Sequence, residues 1–294
     1  MVARAKRAPS TLAAAVVLLA ASACSVAIAA QSSIPARIVS TAPGITETLF
    51  ALGLGGRVVG VSNFCRFPPA VNTLPRVGTF LKPDAEIIAR LRPDLVLVHT
   101  GPNSVALQLA RLGIKTATIE SGSLDAVFST IRDIGAAASV RDRGDQLVAQ
   151  INTRLERVKT AVGGRSPRKV LIIVGRRTGT LTDIVAVGRG SYLSDVAAFA
   201  GGVNVLDAAT QYPRISMETI ISLAPDVLID VGEMGESPAD SARRRTITEG
   251  LWARQPLVKA VVQVTTDDAF VVPGPRMIDI AERMASWFHG VRFP

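Results

Sequence analysis

The chain contains the segment Glu86-Ile-Ile-Ala-Arg-Leu-Arg-Pro-Asp-Leu-Val-Leu-Val98, and a second segment, Glu218-Thr-Ile-Ile-Ser-Leu-Ala-Pro-Asp-Val-Leu-Ile-Asp230, follows the same pattern. The Glu, the Pro and the Asp of the first segment all recur 132 residues later. In each copy the pattern predicts a helix that begins near the Glu, ends at Pro-Asp and leads into a buried strand. A single Pro-Asp match could arise by chance, but a match of helix, Pro-Asp and strand with the Glu in register indicates two related lobes.

Short β-branched runs alternate with helical patterns along the chain, which is typical of an α/β fold with mostly parallel sheets. The predicted strands of the first half are Arg37–Ser40, Val58–Val61, Leu95–Val98 and Thr116–Ile119, and those of the second half are Val170–Val174, Val203–Val205, Val227–Asp230 and Ala269–Val272. A helical stretch at about Ser123–Val162 separates the two sets.

This order of elements predicts two Rossmann-like lobes that are joined by one long α-helix. We expect the N-terminal lobe at residues 31–140, the linking helix at 141–163 and the C-terminal lobe at 164–294. The junction of two lobes is a common place for a binding site, so we expect a ligand cleft between them.

The first 30 residues are typical of an export signal rather than of a folded element. Three basic residues precede an apolar run at 12–23, which is too short to span a membrane. Cleavage after Ala29 would release a free protein, whereas Ala21-Ser-Ala-Cys24 resembles a lipoprotein box with lipidation at Cys24. We favour release, because residues 25–30 stay apolar where a lipoprotein would continue as a polar tether. Either way, the signal predicts a periplasmic location.

The composition narrows the class of protein further. The 294 residues include 33 Lys and Arg, 24 Asp and Glu, two Cys and two His. So few Cys and His exclude a disulfide scaffold, a Cys-rich zinc site and a His-cluster metalloenzyme. Loss of the signal would remove Arg4, Lys6 and Arg7 and lower the formal net charge from +9 to +6. The remaining basic residues are scattered and lack interleaved aromatics, so we expect no nucleic-acid partner.

Residues 37 to about 290 resemble a known family, the periplasmic substrate-binding proteins that serve importers of vitamin B12, haem and iron-siderophores. The resemblance rests on four segments, Ser40-Thr-Ala-Pro-Gly-Ile-Thr-Glu-Thr-Leu-Phe-Ala-Leu-Gly53, Gly60-Val-Ser-Asn-Phe-Cys-Arg-Phe-Pro-Pro69, Leu74-Pro-Arg-Val-Gly78 and Pro273-Gly-Pro-Arg276. The Phe-Cys-x-Phe-Pro-Pro pattern is most similar to the cobalamin-binding branch of that family.

The resemblance implies that the protein is a monomer that captures a corrinoid in the cleft and delivers it to an ABC permease dimer with its ATPase subunits. It implies no catalysed reaction, no resident cofactor and no bound metal. Haem or a ferric siderophore is the alternative ligand. An extracellular hydrolase would be a different class of protein, and the sequence carries no G-x-S-x-G or H-E-x-x-H motif for it.

Aromatic and polar residues at the expected mouth of the cleft are the candidate ligand contacts. Phe64 lies in a loop that Pro68-Pro69 closes, where its ring could cover a flat apolar macrocycle. Phe80 stands where the resembled cobalamin branch has Trp, and Tyr212 matches another cleft aromatic of that branch. His99 follows the predicted strand Leu95–Val98, at the end where open α/β sheets place ligands. Its imidazole could bond a corrin amide or act as an axial ligand of cobalt or haem iron.

Two charged residues complete the expected binding site. Asp268 precedes the last predicted strand, where the cobalamin branch places an acid on the ligand, but the basic residue that follows it in that branch is Val272 in this chain. Arg176 follows the predicted strand Val170–Val174 and could bind a propionate or a siderophore anion. A merely solvated position explains Arg176 equally well.

Glu86 and Glu218 occupy matching positions at the starts of the two repeated helices. Acids favour a helix N-terminus for electrostatic reasons alone, by about 0.3–1 kcal/mol. The resemblance implies a further role, in which each Glu docks basic residues of one permease subunit. The repeat at 132 residues fits such a pseudo-symmetric pair.

Overall fold

The computed structural model of the protein describes residues 33–99, 105–119, 122–206, 210–232 and 238–293. Residues 35–294 form one compact unit. The predicted export signal, with Ala29 and Cys24, lies outside the described residues. Within those residues, no helix is both long enough and apolar enough to cross a membrane.

A parallel four-stranded sheet forms the first half of the unit. Its strands are β1 (Ile38–Ser40), β2 (Val58–Val61), β3 (Leu95–His99) and β4 (Thr116–Ile119), in the order β2-β1-β3-β4. The helices α1 (Pro43–Ala51), α2 (Ala85–Arg90) and α3 (Val105–Arg111) connect them. β1 and the first four residues of β3 are buried, as is typical of parallel strands that are covered by helices on both faces.

A six-stranded sheet forms the second half. Its strands are β5 (Arg168–Gly175), β6 (Ile184–Ala186), β7 (Gly202–Asn204), β8 (Arg214–Ile215), β9 (Val227–Val231) and β10 (Val261–Thr265), in the order β10-β9-β5-β6-β8 with β7 also paired to β5. The helices α6 (Tyr192–Phe199), α7 (Met217–Leu223), α8 (Pro238–Ala253) and α9 (Met277–His289) accompany it. The pairs of β5 with β7, β5 with β9 and β9 with β10 are parallel, whereas β6 runs antiparallel to its neighbours.

The predicted helical stretch between the two sheets is divided into two helices, α4 (Leu124–Ala137) and α5 (Arg141–Val162). The division falls at Ser139, whose φ of 60° is left-handed and cannot continue an α-helix. Buried side chains of both helices join the core of the second sheet, so the linking helix packs mainly on that side. A hydrogen bond of 3.1 Å from Arg143 Nη1 to the Leu52 carbonyl also ties α5 to the first lobe.

The internal repeat is present in three dimensions at the same offset. Asp94 Oδ2 accepts the backbone N–H of Arg37 at 2.9 Å, and Asp226 Oδ2 accepts that of Lys169, the residue 132 positions after Arg37, at 2.8 Å. The residue before each Pro-Asp also has the same backbone conformation in both lobes. Arg92 and Ala224 are left-handed, with φ values of 47° and 43°. Each Pro-Asp therefore follows the end of a helix, and its Asp holds the first strand of the lobe beside the strand that comes after the Pro-Asp, β3 or β9.

The last predicted strand is wrong. Residues Asp268–Val271 form a 3₁₀ turn, because the Asp267 carboxylate caps it by accepting the Ala269 N–H at 3.0 Å. The final strand is instead β10, Val261–Thr265, which the sequence reading missed together with the short strands β6 and β8. Phe270 in the turn is fully buried, so the apolar run that resembled a strand serves the core from a turn.

Candidate binding cleft

A cleft of about 600 Å³ lies between the two lobes. The carboxyl ends of strands from both sheets reach it, at His99 of β3, Ile119 of β4 and Val174 of β5. In open α/β sheets this edge is where ligands bind. The wall is mostly apolar and aromatic, and its larger side chains are Ile45, Phe64, Arg66, Phe80, His99, Ile119, Tyr192, Leu193, Gln211, Tyr212, Asp268 and Phe270.

Phe64 and Phe80 form an aromatic pair on the N-terminal wall. Their ring centroids are 5.8 Å apart with an interplanar angle of 61°, an edge-to-face arrangement. Phe64 is 49% exposed and Phe80 is 42% exposed. Two large apolar rings left half uncovered at a cleft form a surface that an apolar ligand could bury.

A buried cysteine and an arginine hold the loop that carries Phe64. Cys65 is buried, with its Sγ 3.1 Å from Thr46 Oγ1, and Arg76 Nη1 donates to the carbonyl oxygens of Ser62 and Cys65. Burial raises the pKa of the Cys65 thiol, which keeps this cysteine protonated and unreactive. Because Cys65 points inward, its exposed neighbour Arg66 is presented to the cleft, where the sequence reading did not place it.

His99 and Tyr212 both line the cleft, and a ligand contact by either residue stays a prediction. His99 is half-buried at the end of β3. Tyr212 is exposed, and its hydroxyl oxygen lies 3.4 Å from Ser191 Oγ. The two rings therefore bring an imidazole and a phenol to one cavity.

Tyr192 is a lining residue that the sequence reading missed. It is almost fully buried in α6, and its hydroxyl donates to the Phe270 carbonyl at 2.9 Å. Burial raises the pKa of this phenol well above its usual value, so the group stays neutral. The helical spacing of Tyr192 is typical of a core residue, which is why no signal in the sequence marked it.

Asp268 lies at the cleft, and an arginine holds its carboxylate in place. Arg276 Nη2 donates to Asp268 Oδ1 at 2.9 Å. The basic partner that is missing at Val272 is thus supplied from a position eight residues after Asp268. Burial of Arg276 opposes its charge, but hydrogen bonds to Glu47 and Asp268 outweigh that effect and raise the pKa of the guanidinium.

The structure does not bring Arg176 to the cleft, so its prediction as a ligand contact is corrected. Its side chain is 3% exposed and lies 3.1 Å from the carboxylate of Asp230, which is 0% exposed. It also donates to Thr248 Oγ1 at 2.6 Å and to the Thr180 carbonyl at 3.1 Å. The physical reason is the buried carboxylate of Asp230, which the guanidinium of Arg176 pairs with inside the second lobe instead of meeting solvent.

No group of three or more His, Cys, Asp and Glu side chains within the described residues is arranged to hold a metal ion. The cleft is therefore built from rings, a few hydrogen-bonding groups and two oppositely charged side chains, Arg66 and Asp268. Such a surface suits a large, flat, largely apolar molecule with polar groups at its edge.

Comparison with known proteins gives the family. The sequence matches the periplasmic binding protein family over residues 38–262. The chain belongs to this family. Its solved relatives are two-lobed periplasmic binding proteins.

Individual relatives of this periplasmic binding protein differ in what their names say they bind. The vitamin B12-binding protein of Salmonella typhimurium is 26% identical over 253 residues, which cover 85% of this chain and 89% of that protein. The crystal structure of the periplasmic vitamin B12-binding protein of Vibrio cholerae has a TM-score of 0.69 and 25% identity, with coverage of 86% and 96%. A periplasmic heme-binding protein from Pseudomonas aeruginosa has a TM-score of 0.71 and 26% identity, with coverage of 88% and 95%.

Glu86 and Glu218 lie outside the cleft, at equivalent places on the two lobes of this binding protein. Each is exposed and is the second residue of its helix, α2 or α7. Asp84 caps the first helix and Ser216 the second, so both starts are fixed. Hydrogen bonds from Ser216 and from its own backbone N–H lower the pKa of Glu218, which keeps this carboxylate charged.

Proposed function

We propose that this periplasmic binding protein captures a corrinoid in its interlobe cleft and delivers it to an ABC importer. The observation that carries the proposal is the half-exposed ring pair Phe64–Phe80 at a cleft that also presents Tyr212 and Asp268. Corrinoids have a large macrocycle whose edge carries carboxamides. Rings can cover such a macrocycle, and a carboxylate and hydroxyl can accept its N–H groups.

The salt bridge of Asp268 supports this ligand class. Its Oδ1 accepts a hydrogen bond from Arg276 Nη2 at 2.9 Å, which holds the carboxylate at the cleft as a hydrogen-bond acceptor. Carboxamide N–H groups suit such an acceptor, whereas the carboxylates of a haem would be repelled by it. Arg66 on the opposite lobe offers a cation to an acidic group at another edge of the ligand.

The link between the lobes supports a largely preformed cleft. The 22-residue helix α5 packs along the second sheet and also bonds to Leu52 of the first lobe, which disfavours a wide hinge motion. Affinity then comes from burial of apolar surface in a fixed cavity rather than from large closure. We also propose that the protein binds its ligand without changing it chemically.

Haem is the second candidate ligand. It is favoured by one observation, the presence of His99 and Tyr212 on the same cleft, since an imidazole or a phenolate can serve as an axial ligand of haem iron. In this alternative Arg66 would bind a propionate. A haem-binding relative from Pseudomonas aeruginosa has the same fold over 88% of this chain.

Spectra of the purified protein with cyanocobalamin, hemin and a ferric siderophore separate these candidates. The corrinoid proposal expects a cobalamin spectrum that co-elutes with the protein in gel filtration. A shifted Soret band that is lost in His99→Ala or Tyr212→Phe would instead establish haem. Failure to retain any of the three ligands would overturn a role in metal-chelate import.

We propose that Glu86 and Glu218 dock the two permease subunits. The proposal is supported by their exposure and by their matching second positions in α2 and α7. The variant with both residues changed to Ala should bind ligand as the wild type does but fail to stimulate transport by the cognate importer in proteoliposomes. The matched control changes Glu156 and Glu249, which are exposed on α5 and α8, and should transport normally. Equal transport by both double variants would contradict the docking role.

A further inference from the structure

The two lobes meet next to the cleft at a small cluster that we call the interlobe clasp. It consists of Gly44 and Glu47 of α1 on one side, and of Gly274 and Arg276 in the loop before α9 on the other. The residues that meet are 229 positions apart in sequence at Glu47 and Arg276. Gly44 also lines the cleft, so the interlobe clasp borders the site directly.

Backbone packing in the interlobe clasp leaves no room for a side chain at Gly44. A Cβ on Gly44 would collide with the carbonyl oxygen of Pro273. A Cβ on Gly274 would lie 3.5 Å from both Gly44 Cα and Glu47 Oε2, in ordinary contact. The missing side chain at Gly44 therefore sets how closely the lobes approach here.

Glu47 and Arg276 form a bidentate salt bridge in the interlobe clasp, and the carboxylate of Glu47 is buried. Glu47 is 3% exposed, and its two carboxylate oxygens each accept from Arg276, with Nε 2.9 Å from Oε2. Phe67 of the first lobe covers the guanidinium, whose carbon lies 4.3 Å from the ring centroid. A buried charge that loses its partner is costly, so this pair resists separation of the lobes.

Arg276 connects this pair to the cleft. The same Nη2 that donates to Glu47 Oε1 also donates to Asp268 Oδ1, at 2.9 Å. Arg276 Nη1 lies 3.5 Å from Asp267 Oδ1, on the same turn. Because Glu47 fixes Nε and Nη2 of the planar guanidinium, the second N–H of Nη2 can point in only one direction, which is toward Asp268. The orientation of Asp268 at the ligand thus depends on a residue of the other lobe.

We propose that the interlobe clasp sets the width of the cleft and that Glu47 is a positioning residue that acts through Arg276 on Asp268. The first part concerns the ligand-free protein and holds for any ligand. The second part rests on the proposed function, because it is read out by corrinoid affinity. The isosteric variant Glu47→Gln removes the charge and keeps the shape, and Gly44→Ala forces the two backbones apart.

The width of the cleft is measured by pulsed electron resonance between nitroxides at Lys82→Cys and Arg214→Cys, exposed positions on the two lobes, with both native cysteines changed to Ser. Glu47→Gln and Gly44→Ala should shift or broaden the distance distribution of the ligand-free protein. The control is Glu249→Gln, which removes an exposed carboxylate of α8 that lies 3.8 Å from Arg245 Nε and has no contact with the interlobe clasp. A distribution in Glu47→Gln that is the same as in the control overturns the clasp.

The positioning role is tested by calorimetry with cyanocobalamin in a double-mutant cycle. Glu47→Gln should weaken binding by at least about tenfold, and its effect should largely vanish when Asp268→Asn is already present. Equal effects of Glu47→Gln with and without Asp268→Asn would show that Glu47 does not act on the cleft through Asp268 and would overturn the role. If the wild type does not bind cyanocobalamin, the corrinoid proposal fails, while the distance measurement still decides whether the clasp exists.

Discussion

The ring edge of one member of the Phe64–Phe80 pair faces the other at a centroid distance of 5.8 Å, and both rings remain nearly half exposed at the cleft. They come from separate loops, so the pairing is a product of the fold rather than of local sequence. Exposed aromatic pairs are costly to leave in water, and burial by a ligand would recover that free energy.

Truncation of these rings should weaken corrinoid binding. Phe64→Ala or Phe80→Ala should each cost about 1–3 kcal/mol of binding free energy, because each removes apolar area that the ligand buries. Because the rings touch, the double variant should lose less than the sum of the two. Titration calorimetry checks this, with Leu257→Ala as the control, since Leu257 is exposed away from the cleft. Unchanged affinity in both Phe variants would exclude them from the site.

The two adjacent arginines after β5 should behave very differently. Arg176→Met leaves Asp230 as a buried acid without its guanidinium and should lower the free energy of unfolding by about 3–5 kcal/mol. Arg177→Met removes an exposed pair with Asp183 and should cost no more than about 1 kcal/mol. Urea unfolding provides the measurement. If Arg176→Met were as stable as the wild type but bound ligand more weakly, Arg176 would be a ligand contact and not a structural residue.

Stability should fall in alkali because of Tyr192. Its pKa is raised by burial, so the folded state favours the neutral phenol. That contribution is fully present below the unfolded value of 10.0 and is lost as the pH rises above it, because only the unfolded phenol ionises readily. Cys65, whose thiol pKa burial also raises, acts in the same direction above 9.0.

Thermal unfolding between pH 8 and pH 11 checks this sign. Tyr192→Phe should be less stable at pH 8 by about 1 kcal/mol, through loss of the hydrogen bond to Phe270, but should lose less stability on going to pH 11. Tyr212→Phe is compared with it, because Tyr212 is an exposed residue whose charge adds to the effect of burial on the pKa of Tyr192; it should lessen the decline by less than Tyr192→Phe does. An equally steep decline in Tyr192→Phe would show that another group causes it.

The repeated aspartates should have matching roles in stability. Asp94→Asn and Asp226→Asn each remove the charge that accepts the N–H of Arg37 or Lys169, so each should cost about 1–3 kcal/mol of unfolding free energy. Because the sites lie in different lobes, the two losses should add. A large loss of unfolding free energy in one variant and none in the other would mean that the two aspartates share a geometry but do not contribute equally to stability.

Local patterns were sufficient to predict the four strands of the first sheet, whereas β6, β8 and β10 of the second sheet were missed. Val58–Val61 and Thr116–Ile119 form as predicted, and the repeat at Pro-Asp corresponds to paired hydrogen bonds in both lobes. The 3₁₀ turn at Asp268–Val271 could not be read in this way, since a single side-chain cap decided between turn and strand.

Local sequence patterns do not predict which side chains that are distant in sequence come into contact. Arg176 follows a strand as a ligand-binding arginine would, and only the burial of Asp230 against it reveals a structural role. Glu47 and Arg276 stand in two of the segments that carry the family resemblance, yet nothing in either segment shows that they pair. Tyr192 and Arg66 likewise reach the cleft through packing and loop direction rather than through a motif.

Calorimetric titration of the protein with cyanocobalamin tests the central claim most directly. The account predicts one site per chain, with a negative heat-capacity change from burial of the aromatic wall and an affinity that falls in Phe64→Ala. Absence of binding heat with cyanocobalamin, together with saturable binding of hemin, would contradict it.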